Sequence, residues 1–371
     1  SIAGPLAAGF VLLPLVGEPR ALTLLSLPPL LIGLALLARG WRSAERPRGA
    51  TSALAVAVLA TSVALVLHTR GVEWALPEPR RVMRDYEATS IAAGTGMERQ
   101  LLINGVGITK LTPITKMMAH LPLARLERPP RNALIIAFGM GTTFRSALSW
   151  NIPTTAVDLV PSVPALFGFF HADADSLVAL PNARLVVDDG RRFLERTGER
   201  FDVVIIDPPP PAEAVGSSLL YSADFYDLIR RRLRPGGILQ QWYPGGGDPA
   251  VQSSVMRAIG GSFAHVAVYT SVEGWGYHIL ASDAPLPPRS AAELAGRLPA
   301  SAAADLMEWG PHADPVAQFA SVLAGATPLA AAIGDPPAPV LRDDRPVNEY
   351  YFIRRKLPGL WRWWRTTMVE E

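Results

Sequence analysis

Cysteine is absent from the 371 residues. That excludes disulfides, thiolate metal sites and cysteine nucleophiles. Lysine is scarce beside arginine, a bias that reads as base composition rather than function. There is no surplus of charge either. The formal net charge is +2 and the pI is about 9.0, short of the concentrated basic face that nucleic acid requires. No nucleic-acid partner is therefore expected. His68, His120 and His171 show no ligand spacing, so no metal site is expected. His120 reads as a helix-end residue.

What the chain has in excess is apolar residues, 49% overall, gathered mostly in its first seventy positions. Three stretches, 2–16, 21–38 and 52–67, carry no internal charge. A spanning helix needs roughly 20 apolar residues, with about 17 as the usual lower bound. Each stretch lies near or below that bound, yet three in succession predict about three transmembrane helices over 1–70. No basic segment precedes the first, which argues against a signal peptide. The sequence opens on Ser1 without an initiator Met, so an upstream segment is expected. Pro28 and Pro29 should kink the second stretch. Arg39, Arg42, Arg46 and Arg48 stand against Glu45 in the following loop. By the positive-inside rule that loop is cytoplasmic and the rest of the chain periplasmic, at a bacterial inner membrane.

Beyond residue 70 the pattern changes. Proline and charge over 71–85 predict a linker. Alternating residues around Asn104-Gly105 predict a small β-hairpin unit over 86–112. Apolar runs at 133–137, 155–159, 183–187, 201–206, 238–242, 266–270 and 277–281 predict strands. Helices are expected at 143–150, 191–196 and 223–233. This alternation predicts an α/β, doubly wound, Rossmann-like domain over 113–283, with ligand at the carboxyl ends of its strands. Composition then shifts to Ala, Pro and Leu, which predicts a helical and irregular extension over 284–371. Its basic aromatic tip includes Arg354 and Trp361, a combination suited to lipid headgroups or to a partner surface.

The first strand of this domain leads into Phe138-Gly139-Met140-Gly141. Gly139 and Gly141 admit close approach of a ligand to the backbone, and a following helix N-terminus favours polar or anionic groups. Asp158 closes the next strand, where an acid can hold a ribose diol. Asp188 and Asp189 close the third, where an acid can read an adenine amino group. Glycine turn, acid and acid in this order predict a nucleoside pocket.

These motifs, with Phe201-Asp-Val-Val-Ile-Ile-Asp207, Leu220-Tyr-Ser-Ala-Asp-Phe-Tyr226 and Pro235-Gly-Gly237, resemble spermidine synthases in order and spacing over 86–282. A proline run at 208–211, Gln241-Trp242 and Asp343-Asp-Arg-Pro346 are similar to a membrane-anchored bacterial subgroup of that family. The resemblance implies an AdoMet-methyltransferase-type fold, a decarboxylated AdoMet or AdoMet donor, and Asp207 as the base. It also shows departures. Pro210 stands where the family has a second loop acid, and Met140 where an acid meets the donor's amino end. Two of the turn's glycines are replaced by Ala137 and Phe138. The family's Tyr-His-Glu falls at Ile114, Thr115 and Lys116, and a lysine there would repel a polyamine.

Two expectations follow. The lost acids, Lys116 and the periplasmic face predict a non-catalytic accessory subunit of an inner-membrane complex, energy-transducing, respiratory or photosynthetic. Its partners would be the bilayer and other membrane-protein subunits, and it would need no cofactor. Asp158, Asp189 and Asp207 instead favour an active transferase with an unknown, less cationic acceptor. Asp343-Asp344-Arg345 reads as an ion-paired cap on the domain, with a place in the pocket lining as the alternative.

Overall fold

The computed structural model describes residues 3–40, 56–57, 60–61, 63–64, 68, 70–206, 212, 216–349, 357 and 359. Two compact units divide the chain. One holds Ser1–Gly96 with Leu102–Gly107; the other holds Met97–Leu101 with Ile108–Glu371.

The first unit opens on helices α1 (Ala3–Ala7), α2 (Leu13–Val16) and α3 (Glu18–Gly40), with Pro28 and Pro29 inside α3. Leu15 and Leu31 are exposed on them, as is Phe10 in the π-helical turn between α1 and α2. Among the described residues no helix is long and apolar enough to cross a membrane. Most of the third apolar stretch and of the arginine loop before it lies outside the described residues.

The expected linker is in part a strand. β1 (Arg80–Arg84) pairs antiparallel with β2 (Thr89–Ala93), so the β unit begins before Tyr86. Arginine stems explain the miss, because they lie along apolar surface while their charged ends find partners. The Arg80 guanidinium sits 5.0 Å from the Trp74 ring, and Arg84 Nη2 lies 3.0 Å from Glu73 Oε1. β3 (Gln100–Ile103) and β4 (Val106–Lys110) complete a sheet of order β1-β2-β3-β4. The turn between them is Asn104-Gly105, with φ of +50° and +79°. That pair of left-handed residues is what a two-residue hairpin requires.

The second unit is built on an eight-stranded sheet. β5 (Ala133–Ile136) and β8 (Phe201–Ile206) are buried along their whole length. Such unbroken apolar runs mark central parallel strands covered on both faces. Around them lie β6 (Thr154–Asp158), β7 (Ala183–Val187), β9 (Leu233–Tyr243), β10 (His265–Thr270), β11 (Tyr277–Ser282) and β12 (Ala326–Thr327). The order is β12-β10-β11-β9-β8-β5-β6-β7. Strands β5 to β9 pair in parallel; β11 pairs antiparallel with both β9 and β10.

β9 begins well before residue 238. Pro235 and the two glycines fall inside it rather than ending the preceding helix. A register shift against β8 absorbs them, which is how proline is accommodated within a sheet. A Cβ on Gly237 would come within 3.0 Å of the Asp202 carbonyl oxygen.

The helices follow in chain order: α4 (Pro113–Arg125), α5 (Thr142–Leu148), α6 (Ser162–Ala165), α7 (Phe167–Phe170), α8 (Ala174–Val178), α9 (Gly190–Arg196), α10 (Ala223–Arg232) and α11 (Pro249–Ser262). One core lies where Phe225, Tyr226 and Ile229 of α10 and Val255 and Ile259 of α11 meet the sheet. In the extension, α12 (Ala291–Ala295), α13 (Ala300–Met307), α14 (Pro315–Ala324) and α15 (Leu329–Ile333) match the expected helices. β12 was not foreseen; it pairs with β10 at the sheet edge.

His278 on β11 is fully buried, and burial pulls its pKa down to about 3. The Gln240 side-chain amide faces its Nδ1 at 3.2 Å. The unfolded chain, with an ordinary value near 6.5, takes up the proton first as pH falls. The stabilising contribution is therefore whole above about pH 6.5 and is lost as pH falls from there toward 3. Urea unfolding between pH 6 and 4 should show stability falling with pH. His278→Gln should make that slope shallower by up to about 1.4 kcal/mol per pH unit.

Candidate functional site

Strand order reverses between β5 and β8, so the carboxyl ends of these strands flank the crevice where ligands of such sheets bind. The turn after β5 lies there. Ala137, Gly139 and Gly141 have φ of +67°, +56° and +78°. For Ala137 this conformation costs roughly 1–2 kcal/mol. Gly141 is needed twice over, because a Cβ there would also lie 2.4 Å from the Phe167 ring. The large side chains of the turn are taken up by the protein interior. Phe138 is fully buried against Phe144 and Phe167, at ring-centroid distances of 5.5 and 5.1 Å, and Met140 is 2% exposed.

The Phe138 main chain meets the candidate ribose acid. Its N–H donates to Asp158 Oδ2 at 2.7 Å, and the Val160 N–H donates to Oδ1 at 2.9 Å. Asp158 thus ends β6 with its orientation set from two sides. The Asp188 N–H donates to the Asp158 carbonyl at 3.1 Å. Asp189 caps α9, accepting the Arg192 N–H at 2.8 Å, while Asp188 Oδ1 accepts the Asp189 N–H at 2.9 Å. Gly139, Gly141, Asp158, Asp188 and Asp189 therefore gather at one end of the sheet. Asp207 and residues 208–211 lie outside the described residues.

Beside the turn lies a buried charge cluster. Lys116 of α4 is 0% exposed; its Nζ donates to Asp305 Oδ1 and Glu308 Oε2, each at 2.8 Å. Its charge is neutralised, so Lys116 is no free cation facing a ligand, which corrects the repulsion expected from sequence. The same Nζ lies 4.2 Å from the Trp309 ring centroid. Asp305 also accepts from Arg145 Nη1 at 2.6 Å, Ser146 Oγ at 2.6 Å and His120 Nε2 at 2.9 Å. Burial pushes the Asp305 carboxyl up, but the His120 hydrogen bond and the Lys116 cation outweigh it and hold it well below the usual range. His120 sits within α4 rather than at its end. The Trp150 indole can only donate, so His120 Nδ1 accepts at 3.0 Å and Nε2 carries the hydrogen. His171 stacks on Trp309 at 5.7 Å and 20°. Burial, then the Arg145 and Lys116 cations, hold its pKa near 4, so the ring is neutral at pH 7.

A cavity of about 910 Å³ opens within the second unit. It is lined by Trp242, Trp275 and Trp309, by Thr112 and Thr115 at the start of α4, and by Glu98, Lys110 and Glu273, among others. Trp242 is the last residue but one of β9 and Trp275 lies in the β10–β11 turn, so the cavity shares the carboxyl side of the sheet with the glycine turn. Thr143 Oγ1, one residue into α5, donates to the Thr115 carbonyl at 3.1 Å.

Asp305, Glu308 and Trp309 were missed by sequence reasoning, which weighed His171 only as a metal ligand. No local spacing announces them, since Lys116 and Asp305 are 189 residues apart. Asp343 accepts from Arg191 Nη1 at 2.9 Å and from Ser222 Oγ at 2.5 Å, and so ties the late segment to α9 and the start of α10.

Residues 112–273 match the Spermine/spermidine synthase domain. Polyamine aminopropyltransferase 2 of Pseudomonas aeruginosa is 33% identical over 168 residues, 42% of this chain and 47% of that protein. The chain thus spans about half the length of that relative. The polyamine aminopropyltransferase of Thermoplasma volcanium is 28% identical over 229 residues, 57% of this chain and 80% of that one. Among solved structures, spermidine synthase from Thermotoga maritima is similar with a TM-score of 0.53 at 17% identity, covering 68% of this chain and 86% of that one. A spermidine synthase in complex with the transition-state analogue AdoDATO gives 0.51 at 18% identity, with the same coverage. Identity at that level speaks for fold alone. Together these findings support the spermidine synthase family for the Rossmann-like domain.

Asp305→Ala would leave Lys116 and Arg145 with Glu308 as their remaining shared carboxylate and would take the acceptor from the His120 and Ser146 donors, and should cost about 3 kcal/mol in urea unfolding. Combining Lys116→Met with Asp305→Leu should cost less than the sum of the single changes, because the two side chains are in direct contact.

Proposed function

We propose that the second unit is a group-transfer enzyme of the aminopropyltransferase class, taking decarboxylated AdoMet or AdoMet as donor and an amine as acceptor. The observation that carries this reading is Asp158, held by the Phe138 and Val160 N–H groups at the strand-order reversal, with a large cavity on the same side of the sheet. The residues present suit the nucleoside half of such a donor. Asp158 would take the ribose hydroxyls, Gly139 and Gly141 would let the backbone approach, and Asp188 or Asp189 would face the adenine. When bound, the donor supplies a carbon next to a sulfonium as electrophile. Asp207 would take the proton released as the acceptor nitrogen bonds to that carbon and the carbon–sulfur bond breaks.

A scaffold role in an inner-membrane complex is the second reading. Met140 and Pro210, which stand where the family has acids, favour it. Anchoring by the N-terminal apolar stretches is part of either proposal, whereas a periplasmic face for the domain belongs to the scaffold reading and a cytoplasmic one would favour the transferase. The exposed Phe10, Leu15 and Leu31 support that anchor.

Calorimetry of the purified chain with AdoMet, decarboxylated AdoMet and methylthioadenosine tests the pocket. Micromolar binding of at least one is expected, weakened about tenfold or more by Asp158→Ala, a loss of at least 1.4 kcal/mol. Asp207→Asn should keep donor binding and abolish methylthioadenosine release from decarboxylated AdoMet. No binding of any of the three, even at millimolar ligand, would overturn the transferase reading and leave the scaffold.

A further inference from the structure

The loop between β8 and α10 begins at Asp207, the residue that the transferase reading takes as base. Its described part is residues 212 and 216–222. That part is held by a segment from the far end of the chain, residues 341–349. At the start of α10 the Ala223 N–H donates to the Leu341 carbonyl at 2.9 Å. Asn348 is fully buried, and its Nδ2 donates to the Ala212 carbonyl. Glu349 Oε1 accepts the Gly216 N–H at 2.9 Å and also the hydroxyl of Ser218, which is itself buried. Leu341 and Val347 enter the same core as Ala212 and Tyr221.

The late segment is compact in itself. The Arg345 N–H donates to the Arg342 carbonyl, and the Glu349 N–H to the Pro346 carbonyl, each at 3.1 Å. The segment also reaches the side of the crevice where Asp188 and Asp189 stand. Arg191 is the second residue of α9, the helix that Asp189 caps. Its Nη1 donates to Asp343 Oδ1 at 2.9 Å and to the Leu219 carbonyl at 3.3 Å. One guanidinium thus joins the late segment, the loop and α9. Loops at binding sites are ordinarily their least stable part, whereas here side chains from one short stretch hold the loop's main chain at both ends.

We propose that residues 341–349 are a strap that positions the β8–α10 loop for turnover, with Glu349 as the positioning residue, an inference that rests on the transferase reading. Glu349→Ala removes two hydrogen bonds from the loop. Glu349→Gln keeps an acceptor oxygen in the same place. Asp158 and the glycine turn belong to other strands, so donor binding does not need the strap.

The chain has no cysteine. Leu219→Cys, at a loop position that is 45% exposed, therefore takes a single nitroxide label. Electron paramagnetic resonance of the labelled full chain should show an added mobile component with Glu349→Ala and none with Glu349→Gln. In the unlabelled chain, methylthioadenosine release from decarboxylated AdoMet is followed with putrescine and n-hexylamine as acceptor probes. Its kcat should fall about tenfold with Glu349→Ala and stay within about twofold with Glu349→Gln. Donor Kd by calorimetry and the circular dichroism spectrum should be unchanged in both. An unchanged label spectrum in Glu349→Ala overturns the proposal, as does a wild-type kcat in that variant or an equal loss in both variants. A wild-type chain that binds donor but transfers to neither amine sinks the transferase reading, and the strap's role in turnover with it.

Discussion

The second unit depends on one carboxylate. Asp305 arrives on α13, far along the chain, and is met by a lysine, an arginine, a histidine and a serine from α4 and α5. Two cations in an interior are unstable alone, and one acid in an interior is equally so. Together, with Glu308 as a second acceptor for the lysine and the arginine, they form a junction in which loss of Asp305 leaves buried donors short of a partner. The C-terminal extension is in this sense part of the domain. It supplies the anion that lets α4 and α5 keep their basic residues inside.

That junction also sets the outline of the site. Trp309 follows α13 closely, lies over Lys116 Nζ and stacks on His171, whose Nε2 lies 3.1 Å from Thr142 Oγ1 at the start of α5. α5 begins where the glycine turn ends. The cavity wall, the buried cluster and the glycine turn are therefore successive layers of one packing arrangement. His171 belongs to it as a flat, uncharged ring between an indole and the helix start.

The sheet was legible because its strands are short apolar runs set between helices and turn residues. The runs at 133–137, 183–187 and 201–206 fall on β5, β7 and β8 nearly to the residue. β1 was hidden because Arg80, Arg81 and Arg84 look like solvent when read one by one. They form a strand only once Trp74 and Glu73 are in place to receive two of them. β12 was hidden for another reason: two residues carry no pattern, and the pairing is made by β10. At the site, the glycine turn and Asp158 were visible as a motif. Lys116 was misjudged, because a sequence shows a charge without its counter-charge. The acid it needs lies 189 positions away.

Phe138 contributes its N–H to Asp158 and its ring to the interior. The chemical part of that position is therefore written in the main chain, which no substitution except proline removes. The ring answers to a different requirement, that of filling space beside Phe144 and Phe167. Two tasks are thus uncoupled at a single residue. A substitution at 138 can reshape the floor of the turn while the N–H contact that orients Asp158 stays in place.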